Sequence, residues 1–172
     1  MNTRTICAAA AIAAFYAAPA FSQDDHAGHG MASAQSATAG ARDPNLPPDN
    51  DAAKEQLAKS PRHGEWVDVK MSNGAAINSF VIYPERSSKS PVVIVVHDIG
   101  GMSDWIRGIG DQLAKEGFIA IVPDLLSGKG PNGGGTASLG DQVGQTIRTL
   151  TSDELKARLD AVMAYGDRKS VV

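Results

Sequence analysis

Cysteine is nearly absent from these 172 residues: Cys7 stands alone, so the chain can close no internal disulfide. Aromatic residues are scarce too, at 5%. Neither sign of charge dominates, since 16 Lys and Arg stand against 19 Asp and Glu for a net charge of −3. A nucleic-acid binder would present a basic face and a protein held on an anionic membrane surface a cluster of cations, so both classes are disfavoured. The longest apolar stretch falls short of the roughly 20 residues that a transmembrane helix needs. Neither G-x-S-x-G nor G-x-C-x-G occurs, so the elbow that usually lifts a nucleophile above an α/β sheet is missing. No internal repeat is visible.

What is present divides by composition. Arg4 gives a positive start, and residues 6–18 form an Ala-rich apolar run. Ala18-Pro19-Ala20 and Ala20-Phe21-Ser22 then offer the small residues that a signal peptidase reads. Residues 1–22 are expected to be a bacterial signal peptide, with an uncleaved anchor as the alternative. Cleavage near Ala20 or Ser22 would remove Cys7, send the chain to the periplasm or beyond, and leave no stable membrane insertion. Residues 23–61 are Ala, Ser, Gly, Asp and Pro with few branched side chains, too little apolar surface to offset the entropy of ordering. They are expected to form a disordered linker. His26 and His29 beside Asp24 and Asp25 have ligand atoms but no scaffold, so no metal site is expected there.

Residues 62–172 carry the folding signals. Val67, Val69 and Met71 alternate with Asp68 and Lys70, the period of a half-buried strand. Ser72-Asn73-Gly74 supplies turn chemistry, and a second strand is expected over 77–83. Five consecutive β-branched residues at 92–96 suit a strand covered on both faces of a parallel sheet. Ser103 can cap a helix that ends at Gly117, and 118–122 is the next buried strand, stopped by Pro123. Strand, helix, strand at this spacing is a right-handed crossover. Further helices are expected over 139–150 and 152–165. The second starts from a Thr151-Ser152-Asp153-Glu154 capping box, carries a Leu155, Leu159, Val162 and Met163 stripe, and stops at Gly166. The fold class is α/β.

The chemistry-bearing candidates lie at strand ends. His97-Asp98-Ile99-Gly100-Gly101 leaves the carboxyl end of the 92–96 strand, where open α/β sheets bind ligands. Two glycines let backbone N–H groups face a cavity and stabilise a developing oxyanion. A plain turn with a surface histidine is the competing reading. Gly128-Lys129-Gly130-Pro131-Asn132-Gly133 matches G-x-G-x-x-G, but no helix opens at the end of its strand to meet a pyrophosphate, so dinucleotide binding is disfavoured. Ser103 is better suited to capping than to nucleophilic attack. Adjacent His97 and Asp98 cannot form a relay in which a third group orients the base. Asp124, just past a strand, is suited to accepting hydrogen bonds within its own loop.

Segments 63–67, 83–86, 92–101, 104–107, 114–117 and 123–135 occur in an order that resembles the exported bacterial branch of the dienelactone hydrolase (carboxymethylenebutenolidase) family. The likeness runs from about Ser60 to Gly166. It implies an α/β-hydrolase fold, here incomplete, and cofactor-free hydrolysis of a small-molecule ester or lactone. The family uses a Cys or Ser nucleophile in an elbow, followed by Asp and then His, and none of that triad is in this chain. By position, Ile99 matches the residue whose backbone N–H joins the oxyanion hole. Asp98 matches the acidic residue, usually Glu, that meets the nucleophile. Gly100 stands where an aromatic residue is common. The chain is therefore expected to be the N-terminal part of such an enzyme, inactive alone. A non-catalytic periplasmic protein that binds a ligand or partner is the alternative, and a nucleotide-binding domain a third, weaker one.

Overall fold

The computed structural model describes residues 49–86 and 88–169. The expected signal peptide, Cys7, His26, His29 and most of the expected linker lie outside the described residues. The linker expectation fails over its last part. Asn50–Lys59 is a helix, α1, whose N-cap Asp49 accepts from the Ala52 N–H at 2.8 Å. Its Ala53 is fully buried, and the helix packs on α2 (Asp104–Lys115). One small apolar contact is too weak a signal to separate this helix from disorder by composition. A long-range clamp adds to it: Ser60 Oγ donates to Asp111 Oδ1 at 2.5 Å, and Arg62 grips both carboxylate oxygens of Asp111 at 2.9 and 2.6 Å.

The alternating segment forms β1 (Gly64–Lys70), antiparallel to β2 (Ala76–Ile82). The turn between them places Gly74 at φ 84, and the Ala75 N–H donates to Asn73 Oδ1 at 3.0 Å. β3 (Val92–Ile94) runs through α2 into the parallel β4 (Ile119–Pro123), the expected crossover. The sheet order is β1-β2-β4-β3, with β2 and β4 antiparallel. β4 is buried at every position because it has a strand on each side and a helix on each face.

β3 departs from the expectation of a fully covered five-residue strand. It is shorter and half-buried, and Val96 is 49% exposed. Among the described residues only β4 pairs with it, so its other edge is open.

Ser103 caps α2 as expected, accepting from the Ile106 N–H at 3.3 Å. Its far end closes as a Schellman motif: Phe118 N–H donates to Leu113 O and Gly117 N–H to Ala114 O, with Gly117 at φ 97. The expected 139–150 helix is instead a 3-10 turn over Gly140–Gln142 followed by the short α4 (Val143–Ile147), and a separate short helix, α3 (Thr136–Leu139), precedes it and ends where Gly140 turns to φ 52. α5 (Ser152–Lys169) begins at the expected cap, Glu154 N–H donating to Thr151 Oγ1 at 3.2 Å. It does not stop at Gly166. That glycine is buried inside the helix with Arg158 and Val162, one turn apart on the face that meets the sheet, whereas Met163 is more than half exposed. Alternate strand residues thus feed two cores. Val69, Ile77, Val81 and Ile121 meet α5, while Ile82, Ala120 and Val122 meet α2 on the other face.

Candidate active site

The Asp98–Gly101 turn leaves the carboxyl end of β3, as its glycines and position require. Asp98 organises it twice: Oδ1 accepts from the Gly100 N–H at 2.7 Å, and the carbonyl accepts from the Gly101 N–H at 3.1 Å. The Met102 N–H is taken by Thr136 Oγ1 at 3.1 Å. The Ile99 N–H takes no part in these bonds, and the residue is 51% exposed. Asp98 is exposed as well, so the turn presents its outer side to solvent.

His97 is not the surface histidine of the plain-turn reading. It is 5% exposed, and both ring nitrogens are engaged, Nδ1 with Asp98 O at 2.9 Å and Nε2 with the Leu125 N–H at 3.1 Å. An imidazole held from both sides ties two strand ends together and is not placed to accept a proton from a substrate.

Asp124 has the loop role that its position suggested. Its carboxylate is buried and accepts from the Leu126 N–H at 3.0 Å, the Thr136 N–H at 2.8 Å and Thr136 Oγ1 at 2.7 Å. Thr136 was not legible as a site residue, because its partners lie 12 and 34 positions away and no local pattern marks them.

No α-helix opens within residues 128–133. Residues 131–133 form a 3-10 turn, and the N–H groups of Gly130, Gly133 and Gly134 donate to carbonyls within the loop. Those amides are consumed locally, so the dinucleotide reading gains nothing.

Beside this loop, between the β1–β2 hairpin and the start of α5, lies an open cleft of about 750 Å³ lined by Trp66, Asn78, Met102, Lys129, Thr136 and Glu154, among others. At its rim Lys129 Nζ lies 2.8 Å from Glu154 Oε1, and Arg158, itself buried, donates to Glu154 and to the Ser127 carbonyl. The Lys129 hydrogen bond, with Arg158 behind it, holds the Glu154 carboxyl below its ordinary range. A second concavity of about 430 Å³ is lined by Asn50, Asp98, Gly100, Ser103 and Trp105. Met102, just after the turn, lines the first hollow, and Asp98 and Gly100 line the second. Among the described residues no group of three or more His, Cys, Asp or Glu side chains is arranged to hold a metal, and no helix is long and apolar enough to cross a membrane.

A protein of Synechocystis sp. named "Putative carboxymethylenebutenolidase" is 32% identical over 107 residues, 58% of this chain and 44% of that one. A Bradyrhizobium protein named "Probable 2-oxo-3-(5-oxofuran-2-ylidene)propanoate lactonase" is 27% identical over 108 residues, 63% of this chain and 42% of its own length. The chain thus spans less than half the length of these two relatives. Among solved structures, the "Putative Dienelactone Hydrolase" of Klebsiella pneumoniae superposes with a TM-score of 0.54 at 23% identity, over 63% of this chain and 45% of that one. That likeness is one of fold, an α/β-hydrolase fold represented here in part. The sequence model of the Dienelactone hydrolase family matches residues 77–171, more than half of the chain, and the protein belongs to that family.

Proposed function

We propose that this chain carries the oxyanion-binding part of a hydrolase acting on ester or lactone bonds. The Cys or Ser nucleophile, the Asp and the His of its triad would come from sequence that these 172 residues do not contain. The nucleophile attacks the substrate carbonyl carbon, and the carbonyl oxygen takes up negative charge. The Ile99 N–H donates to that oxygen, and Asp98 stands beside the nucleophile. Collapse of the tetrahedral intermediate expels the alcohol oxygen, which takes a proton from the catalytic His. Water then releases the acid from the acyl-enzyme. Membership of the family supports this reading, and so does the name of the Bradyrhizobium relative, a lactonase. The single observation that carries it is the Ile99 amide, left out of the bonds of a turn that leaves the carboxyl end of β3. We place the mature protein in the periplasm, on the strength of the residue 1–22 pattern.

The test is to read the coding DNA past residue 172 in all frames and to express the longest continuous product. It should contain G-x-C-x-G or G-x-S-x-G followed by Asp and His, and hydrolyse an unsaturated γ-lactone. Changing the elbow Cys or Ser to Ala should abolish turnover. A longer product with no elbow, or one whose turnover survives that change, overturns the assignment. Fractionation that recovers the full-length product with residues 1–22 intact in the cytoplasm would overturn the placement.

A further inference from the structure

We infer that His97, Thr136 and Asp124 are positioning residues that aim the Ile99 amide, and that the glycine-rich loop serves to seat Thr136 behind the turn; this rests on reading that turn as the oxyanion site. The Asp98 carbonyl and the Ile99 N–H belong to the same trans peptide unit and point in opposite directions. Whatever holds the Asp98 oxygen therefore sets where the Ile99 hydrogen points.

That oxygen is held by two donors, His97 Nδ1 at 2.9 Å and the Gly101 N–H at 3.1 Å. The histidine's direction follows from its other nitrogen. Nε2 receives the Leu125 N–H at 3.1 Å, so Nε2 carries the lone pair and Nδ1 the hydrogen. The Ile99 N–H consequently points away from the buried imidazole, toward the exposed side of the turn.

The other end of the turn is fixed by a second chain of bonds. The Met102 N–H donates to Thr136 Oγ1, which has one hydrogen of its own and gives it to Asp124 Oδ1 at 2.7 Å. Asp124 also accepts from the Thr136 and Leu126 N–H groups, so the same short loop that meets His97 at Leu125 meets Met102 through Thr136. Both ends of the turn are thereby referred to the exit of β4.

Two glycines make the approach possible. A Cβ on Gly101, at φ 74, would lie 2.7 Å from both Oγ1 and Cγ2 of Thr136, and one on Gly135 would lie 2.2 Å from Asp124 Oδ2. Gly135, two residues past the G-x-G-x-x-G letters, is what lets the loop close on Asp124.

The experiment uses the 15N-labelled 172-residue chain with Thr136→Val, which keeps the shape and removes the hydroxyl, and Thr136→Ser, which keeps it. The account expects a rigid turn in the wild type, with an Ile99 order parameter near 0.85. In Thr136→Val that value should fall below about 0.6, and Met102 amide exchange should quicken about tenfold on losing its acceptor. Thr136→Ser should restore both. If Thr136→Val does not fold, His97→Gln tests the same aim from the other end, with Ile99 again losing order. Ile99 order unchanged in the folded variant overturns the inference and leaves the proposed hydrolysis standing. A longer chain inactive on lactones, with the brace confirmed by NMR, overturns the hydrolase reading alone.

Discussion

Gly166 of α5 lies directly against Val92 of β3: a Cβ at position 166 would stand 3.0 Å from Val92 Cγ1 and 3.3 Å from Ile121 Cδ1. α2 repeats the device on the opposite face, where a Cβ on Gly110 would stand 2.8 Å from both Ile82 Cδ1 and Val122 Cγ2. Glycine inside a helix costs about 1 kcal/mol against alanine, and here the close seating on the sheet offsets it. Gly166→Leu and Gly110→Leu should each destabilise the fold by about 1–3 kcal/mol through overpacking. The two losses should add, because the sites lie in separate cores. Urea unfolding measures both, and wild-type stability in either variant would show that its helix is not seated as described.

The Arg62–Asp111 pair should hold α1 in place. Both side chains are largely sheltered, at 11% and 15% exposure, and the contact is bidentate, so it escapes most of the screening that weakens surface pairs. Arg62→Ala should lower stability by roughly 1–3 kcal/mol and reduce helical signal from residues 50–59. Glu55→Ala breaks an exposed pair with Lys59 on the same helix and should change nothing measurable. Equal effects from the two variants would refute the clamp.

Tyr83 predicts an alkaline transition. Burial raises its phenol to about 12, with the Glu65 hydrogen bond acting in the same direction and Lys169 against it. The folded state therefore holds this proton more tightly than the unfolded chain, whose tyrosine titrates near 10. Its contribution to stability is complete below about pH 10 and is lost as pH rises through 12. Lys169, whose own value is raised by the Tyr83 hydrogen bond, adds to the same fall. Urea midpoints measured across pH 9–12 should drop less steeply in Tyr83→Phe than in the wild type. Parallel curves would mean that the phenol is not buried as described.

The parts of the fold that could be read from sequence are those written in local chemistry. Strand alternation at 67–71, the Asn73-Gly74 turn, the Ser103 cap and the Thr151 cap each act within a few residues, and each appears in place. What was not legible depends on distant partners. α1 is fixed through Asp111, some 50 positions away, and Gly166 stays helical because a strand 74 positions earlier occupies the space a side chain would need. Gly140 breaks a helix that the apolar spacing alone would have continued. The turn at 98–101 was recognisable by its glycines and its strand, but the bonds that leave the Ile99 amide over, and the Thr136 brace behind it, exist only once β3 and β4 lie side by side.

The central proposal is that this chain holds the oxyanion donor of a hydrolase without its nucleophile, and the most direct measurement is ester hydrolysis by the purified 172-residue chain alone. With p-nitrophenyl acetate as substrate, the account predicts a rate equal to the buffer blank, since an oxyanion donor worth about 10²–10³ in rate has no covalent step to assist. Turnover above the blank that disappears when a single residue of this chain, such as Ser103 or His97, is changed to alanine would contradict it.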